Sequence, residues 1–145
     1  MLFRTLLVLL VSIPAIAIGQ SAGKVTNERV LAESGNGANW FLKGGNFNGS
    51  HYSPLSRINE ENIGQLSLAW AMDLPIPDGT PTTPIVVDGV IYIGGAYSKV
   101  VAVDASDGSL LWTYEPDFSE IFAETPWLSW ISRANRGVAV WDGRV

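Results

Sequence analysis

The chain has 145 residues, no cysteine, one histidine and a formal net charge of −5 at pH 7. The lack of cysteine excludes disulfides, thiolate metal sites and a lipid-anchored N-terminal cysteine, and the acidic balance without a basic cluster argues against nucleic-acid binding. With 47% apolar and only 16% charged residues, the composition is that of a globular protein, not a disordered one.

Residues 1–19 are predicted to be a cleavable signal peptide. Arg4 supplies the positive charge, and Leu6–Ile13 is an apolar core too short for a comfortable membrane span. Small residues allow cleavage after Ala17 or after Gly19. With the signal removed, the destination is outside the cytoplasm; the alternative is an uncleaved N-terminal anchor.

Two segments of different character follow the signal. Residues 20–37 are polar, with a short predicted helix at Asn27–Glu33 and Asn27 as its N-cap. Trp40–Leu55 is dominated by glycine, asparagine, serine and proline, which predicts a loop. The one histidine, His51, lies in this loop, where a structural or solvent-exposed role is favoured over metal binding or catalysis.

A turn and a strand are predicted before the main sheet. Ile58–Leu66 reads as a short turn or helical piece. Ser67–Asp73 is predicted to be a strand, since Leu68, Trp70 and Met72 alternate and would share one face.

Four short strands are predicted next, at Ile85–Val87, Val90–Gly94, Val100–Asp104 and Ser109–Tyr114. Asp88-Gly89 joins the first two as a type I′ hairpin turn, because both of its central positions need positive φ. Four short antiparallel strands in such a short stretch match one blade of a β-propeller. The fold class is therefore all-β.

Irregular segments flank these strands. Leu74–Pro84 is proline-rich and predicts a rigid loop. Glu115–Arg136 is a long connection, and loops of this length are often functional. Its acidic residues, Asp117, Glu120 and Glu124, are interpreted as solvating the loop rather than as a carboxylate cluster.

Gly137–Val145 repeats the pattern of the first two strands, and its Asp-Gly pair stands 54 residues after the first one. One blade and the start of a second do not close a ring, because a propeller needs at least four blades of roughly 40 residues each. We expect the chain to be the N-terminal piece of a longer protein. The alternatives are a small self-contained sheet protein and a truncated product whose exposed strand edges favour aggregation.

A motif in the third and fourth strands carries a family resemblance. Ala102-x-Asp104-x-x-x-Gly108-x-x-x-Trp112 resembles the tryptophan docking motif of the quinoprotein dehydrogenases, which use pyrroloquinoline quinone (PQQ). Gly108 permits the turn, Asp104 can accept hydrogen bonds from the backbone of that turn, and Trp112 can lay its ring between neighbouring blades. The resemblance implies a structural role for these four residues.

The resemblance extends over residues 38–145. Trp40–Leu55 is similar to the segment that opens the mature quinoprotein alcohol dehydrogenases, and the segment around Trp70 is similar to the family's outermost strand that closes the ring. The resemblance implies an eight-bladed propeller, of which only the first blade and the start of the second are present. It also implies a periplasmic PQQ-dependent enzyme that oxidises an alcohol or a similar hydroxyl substrate and passes electrons to cytochrome c or a membrane quinone. We expect the piece alone to be inactive.

Asn135-Arg136-Gly137 is the strongest functional match. In the family, an arginine in an Asn-Arg-Gly at this point hydrogen-bonds the quinone oxygens of PQQ, so Asn135 and Arg136 are the candidate cofactor-binding residues. A guanidinium suits this role because it is always charged and presents a planar fork of donors to a developing oxyanion. On the residues alone, a loop arginine in a surface ion pair is the alternative.

Two positions depart from the family. Adjacent cysteines usually precede the Asn-Arg-Gly, whereas this chain has Trp130 and Ile131 there. A glutamate common before the first inner strand is replaced by Pro81, with Thr82 and Thr83 as the nearest polar side chains. The family's Ca²⁺ ligands and catalytic aspartate are expected beyond residue 145, so the chain itself offers no catalytic or metal-binding candidate.

These departures keep a rival hypothesis open. Non-catalytic propellers that bind protein partners share the same repeats without a cofactor. The lost glutamate and cysteine positions favour such a scaffold. The Asn-Arg-Gly and the absence of a lipid-anchoring cysteine favour the dehydrogenase.

Overall fold

The structure, a computed structural model, describes residues 23–79 and 82–145. Four antiparallel strands form one sheet in chain order: β1 (Ile85–Val87), β2 (Val90–Gly94), β3 (Val100–Asp104) and β4 (Leu110–Tyr114). The predicted four-stranded blade is confirmed, with β4 beginning one residue later than predicted. The predicted signal peptide, residues 1–19, lies outside the described residues.

The Asp-Gly turns adopt the conformation that their sequence predicts. Asp88 and Gly89 have φ values of 51° and 77°, both positive as a type I′ turn requires. Asp142 and Gly143 repeat this geometry with φ values of 45° and 75°. Around the second turn there is only an isolated bridge between Trp141 and Arg144, because the described residues provide no neighbouring strand to extend it.

The two faces of the sheet are buried by different parts of the chain. Successive side chains of a strand point to opposite faces, so one strand serves both. One face packs with the N-terminal segment, in a cluster formed by Val25, Val30, Phe41, Ile85, Val87, Tyr92, Ala102 and Val140. The other face packs against the segment before β1, in a cluster formed by Ile76, Val101 and Val103 with Trp70, Met72 and Leu74 against it. Each fully buried aliphatic side chain contributes about 1.5–3 kcal/mol to folding.

Helix α1 (Asn27–Glu33) has the predicted bounds but not the predicted cap. Thr26 is the N-cap: its backbone is extended, and its hydroxyl accepts a hydrogen bond from the backbone N–H of Arg29 at 3.3 Å. Asn27 is already the first helical residue, so its prediction as the cap was wrong. Both residue types cap well, and only the backbone geometry separates them.

Arg29 ties helix α1 to the first hairpin turn. Its guanidinium forms ion pairs with Asp88 and, over 2.7 Å, with Glu33, and it lies 5.3 Å from the centroid of the Phe41 ring. Asn39 completes the cluster, since its amide donates to Glu33 and accepts from the backbone N–H of Asp88, both at 2.7 Å. Hydrogen bonds from Arg29 lower the pKa values of Asp88 and Glu33, and those carboxylates raise the pKa of Arg29.

The segment Ser67–Asp73 is not a strand, which contradicts the prediction. Its backbone pairs with no described strand, and Leu68 is 81% exposed, whereas Trp70 and Met72 pack against the sheet. Of the three positions predicted to share one face, two therefore pack against the sheet and Leu68 does not. The expected short turn is present, as a 3₁₀ turn at Ile63–Gln65.

The long connection after β4 contains two short helices that the sequence did not predict, α2 (Ser119–Glu124) and α3 (Leu128–Ile131). Within residues 23–79 and 82–145, no helix has the length and apolar character needed to span a membrane.

Candidate cofactor-binding loops

The sheet topology brings the candidate residues Asn135 and Arg136 to the same end of the sheet as the segment before β1. In an antiparallel meander, the start of β1, the end of β2, the start of β3 and the end of β4 lie at one end of the sheet. Three segments meet there: 82–84 before β1, 94–99 between β2 and β3, and 132–137 after α3. We call these three segments the loop end.

A backbone–backbone hydrogen bond and a side-chain hydrogen bond, both made by Tyr97, hold the 132–137 segment against the connection between β2 and β3. Tyr97 donates its backbone N–H to the carbonyl of Ser132 at 2.7 Å, and its hydroxyl accepts from Nε of Arg133 at 3.0 Å. Asn135 lies directly over Gly94: a Cβ added at Gly94 would stand 3.1 Å from its Cγ. The loop end is therefore a packed unit rather than three independent loops.

Asn135 shapes the backbone on which Arg136 is presented. Its Oδ1 accepts a hydrogen bond from the backbone N–H of Gly137 at 3.0 Å, which closes a tight turn around Arg136. Gly137 has a φ of 134°, a conformation that side chains rarely adopt. The turn leaves Arg136 exposed, and its guanidinium makes neither a hydrogen bond nor an ion pair to any described residue.

Thr82 adds an unsatisfied polar atom beside this turn. Its Oγ1 is buried and has no hydrogen-bond partner among the described residues, and a Cβ added at Gly137 would lie 3.6 Å from it. Buried hydroxyls normally have a partner, so this atom is available to a ligand. From the sequence, Thr82 stands out only as one of the polar side chains nearest to Pro81, and Pro81 itself lies outside the described residues.

Trp130 and Ile131, which stand at the family's cysteine positions, are 79% and 59% exposed. Both belong to α3, immediately before the 132–137 segment. They add an exposed apolar surface to the part of the chain that leads into Asn135 and Arg136.

No metal site accompanies these loops in the described part of the chain. Residues 23–79 and 82–145 hold no group of three or more His, Cys, Asp or Glu side chains placed to bind an ion. His51 is exposed, with a φ of 53°, and its backbone N–H donates to Gly44.

The docking motif shows how the blade receives a neighbouring tryptophan. The Asp104 carboxylate accepts from the backbone N–H of Ser106 at 2.8 Å, and Gly108 is buried with a φ of 76°. The ring lying on Gly108 belongs to Trp70, whose Nε1–H donates to the carbonyl of Ala105 at 3.1 Å. Sequence reasoning saw Trp70 only as a packing residue and missed this contact.

Trp112 occupies the other side of the same motif. It pairs with Ala102 across β3 and β4, packs against Tyr92 at a ring separation of 5.9 Å, and remains 39% exposed. Thus Gly108 already contacts the ring of Trp70, while Trp112 of the same motif is partly exposed to solvent on the edge strand β4.

Comparison with known proteins agrees with this geometry. Residues 40–145 match the family described as "Glucose/ethanol/alcohol dehydrogenase, beta-propeller domain". The chain belongs to this family. The propeller fold expected from the resemblance is therefore confirmed, and the four-stranded sheet is one of its blades.

Two characterised relatives show the range of the similarity. The chain is 41% identical over 132 residues to the quinohemoprotein alcohol dehydrogenase ADH-IIG of Pseudomonas putida, an alignment that covers 91% of this chain and 18% of that protein. It is 41% identical over 109 residues to the 1-butanol dehydrogenase (cytochrome c) of Thauera butanivorans, covering 75% of this chain and 15% of that protein.

A solved structure agrees with these relatives. The crystal structure of the quinohemoprotein alcohol dehydrogenase of Comamonas testosteroni superposes with a TM-score of 0.71 at 31% identity, over 83% of this chain and 18% of that chain. The chain spans less than a fifth of the length of each of these proteins.

Proposed function

We propose that the complete protein containing this chain is a PQQ-dependent alcohol dehydrogenase. The observation that carries the proposal is the exposed guanidinium of Arg136, which the Asn135 turn presents without a partner among the described residues. The buried hydroxyl of Thr82, close to Gly137 in the same turn, also has no partner within 23–79 and 82–145. Membership of a dehydrogenase family supports the proposal. Neither the matched family nor the relatives favour the scaffold alternative.

The residues of the loop end fit a quinone cofactor by the chemistry of their donors. A quinone that also carries carboxylates presents acceptor oxygens at its rim, and these oxygens need cationic and hydroxyl donors. Arg136 and Thr82 supply both, and the exposed ring of Trp130 supplies an apolar surface nearby. When bound, PQQ would supply the two-electron acceptor for alcohol oxidation.

In this proposal, the residues of the chain bind and orient. Arg136 would donate to a quinone oxygen and favour the negative charge that develops there as electrons arrive. Asn135 acts on the cofactor through the backbone, because its amide oxygen is already engaged with Gly137. The general base and a Ca²⁺ site would come from other parts of the complete protein.

The location and the electron acceptor belong to the same proposal. The signal-like residues 1–19 support export to the periplasm. The relative from Thauera butanivorans is named for cytochrome c, whereas a relative from Gluconacetobacter polyoxogenes, 39% identical, is named as an alcohol dehydrogenase (quinone), so the proposal includes both acceptors. An assay with both acceptors, on protein from the periplasmic fraction, distinguishes them.

The test is PQQ binding by the complete protein, with and without Ca²⁺, measured by fluorescence titration. Arg136→Ala should weaken binding about ten- to hundredfold, as expected for the loss of a charge-assisted hydrogen bond. Arg57→Ala is the matched control, because Arg57 is also exposed but lies outside the loop end. Failure of the intact protein to bind PQQ would refute the dehydrogenase and return attention to the scaffold.

A further inference from the structure

The segment between β2 and β3 carries an unusual backbone. Tyr97 and Ser98 have φ values of 57° and 55°, two consecutive residues with side chains in a region that favours glycine. Such strain persists only where surrounding contacts over-determine it, and it collects near functional sites. We therefore expect contacts that hold Tyr97 in this conformation, and the structure contains three.

Three groups of Tyr97 make contacts, and all three reach the segment that follows β4. The backbone N–H donates to the carbonyl of Ser132 at 2.7 Å. The hydroxyl accepts from Nε of Arg133 at 3.0 Å. The ring meets Phe122 of α2 edge-on, with centroids 6.0 Å apart.

These contacts lie just before the residue proposed to bind the cofactor. Arg136 follows Arg133 by three residues, and Asn135 between them rests on Gly94, which belongs to the same end of the sheet as Tyr97. The left-handed conformation of Tyr97 aims both its N–H and its side chain at the 132–137 segment. We propose that Tyr97 is a positioning residue that fixes the 132–137 segment on the sheet and so presents Arg136 to the cofactor.

The claim that Tyr97 fixes the 132–137 segment is independent of the proposed function, whereas the claim that this presents Arg136 to the cofactor rests on it. Two readouts test the two claims separately. The first is hydrogen–deuterium exchange of the peptide covering 132–137 in the complete, cofactor-free protein. Tyr97→Phe removes the bond to Arg133 but keeps the ring and the backbone, and it should speed exchange there by about fivefold. Arg133→Lys keeps the charge but alters the donor, and it should have the same effect.

The second readout is PQQ affinity. Tyr97→Phe should weaken binding by about three- to tenfold, and it should cause no further loss in an Arg136→Ala background, since Tyr97 would act through Arg136. A merely structural role would instead lower affinity equally in both backgrounds. Tyr52→Phe is the control, because Tyr52 is 73% exposed and its hydroxyl bonds to no described residue.

Each outcome decides the matter. Unchanged exchange in both Tyr97→Phe and Arg133→Lys would overturn the positioning role. Faster exchange with unchanged PQQ affinity would overturn the link to Arg136. If the wild-type protein binds no PQQ, the proposed function fails, while the exchange experiment still decides whether Tyr97 anchors the segment.

Discussion

Alanine at Gly108 would destabilise the fold both through its backbone conformation and through a steric clash, whereas alanine at Gly89 would do so through its backbone conformation alone. The two glycines have φ values of 76° and 77°, so a side chain pays the same conformational cost at each, about 1–2 kcal/mol. A Cβ at Gly89 would meet nothing within 4 Å, but a Cβ at Gly108 would lie 2.4 Å from Cε3 of Trp70. Trp70 cannot easily withdraw, because its Nε1–H is bonded to Ala105.

The extra penalty at Gly108 is that of an overpacked contact, about 1–3 kcal/mol. Gly108→Ala should therefore destabilise the complete protein by about 2–5 kcal/mol and Gly89→Ala by about 1–2 kcal/mol. Urea denaturation followed by circular dichroism measures both, provided that the m-values agree. A second comparison combines Gly108→Ala with Trp70→Leu, which should remove most of the difference. Equal losses for the two glycine variants would refute the claim that Trp70 docks on Gly108.

Two further predictions concern contacts that fasten the blade. Trp70→Phe keeps the ring but loses the hydrogen bond to Ala105, and it should cost about 1 kcal/mol in the same denaturation assay; Trp127→Phe, at an exposed ring, should cost less. Arg29→Met should cost about 1–3 kcal/mol at pH 7, because it leaves two partly buried carboxylates without their cation. The pKa values of those carboxylates, Asp88 and Glu33, are lowered in the folded protein, so their stabilisation is complete above the unfolded values and is lost as the pH falls below about 5. In Arg29→Met, the free energy of unfolding should therefore fall less steeply as the pH is lowered through this range. Parallel curves of unfolding free energy against pH for the two proteins would contradict the prediction.

The strands and turns of the blade could be predicted from the sequence because their signals are local. β-Branched runs give the strands, and Asp-Gly pairs at positions 88 and 142 give turns whose positive φ values few other residues tolerate. The docking motif and the Asn-Arg-Gly turn were also readable, since glycine spacing constrains the backbone directly. These features depend on the chain within a few residues of each position.

The errors arose where the local pattern does not decide the structure. Ser67–Asp73 has the alternation of a strand, but a strand exists only when another backbone pairs with it. The cap of α1 is Thr26 rather than Asn27, and residue type could not separate two adjacent residues that both cap well. The helices α2 and α3 were missed because each is too short to show a reliable helical period.

The sequence by itself determined the class of fold, the family motifs and the two residues, Asn135 and Arg136, on which the functional proposal depends. Only the tertiary structure decided what surrounds them. It brought Thr82, Gly94 and Tyr97 to the same end of the sheet as Arg136, although these residues are far apart along the chain. It also placed Trp70 rather than Trp112 on Gly108. The physical reason is that an antiparallel meander gathers alternate loops at one end, and no local pattern records which side chains then meet.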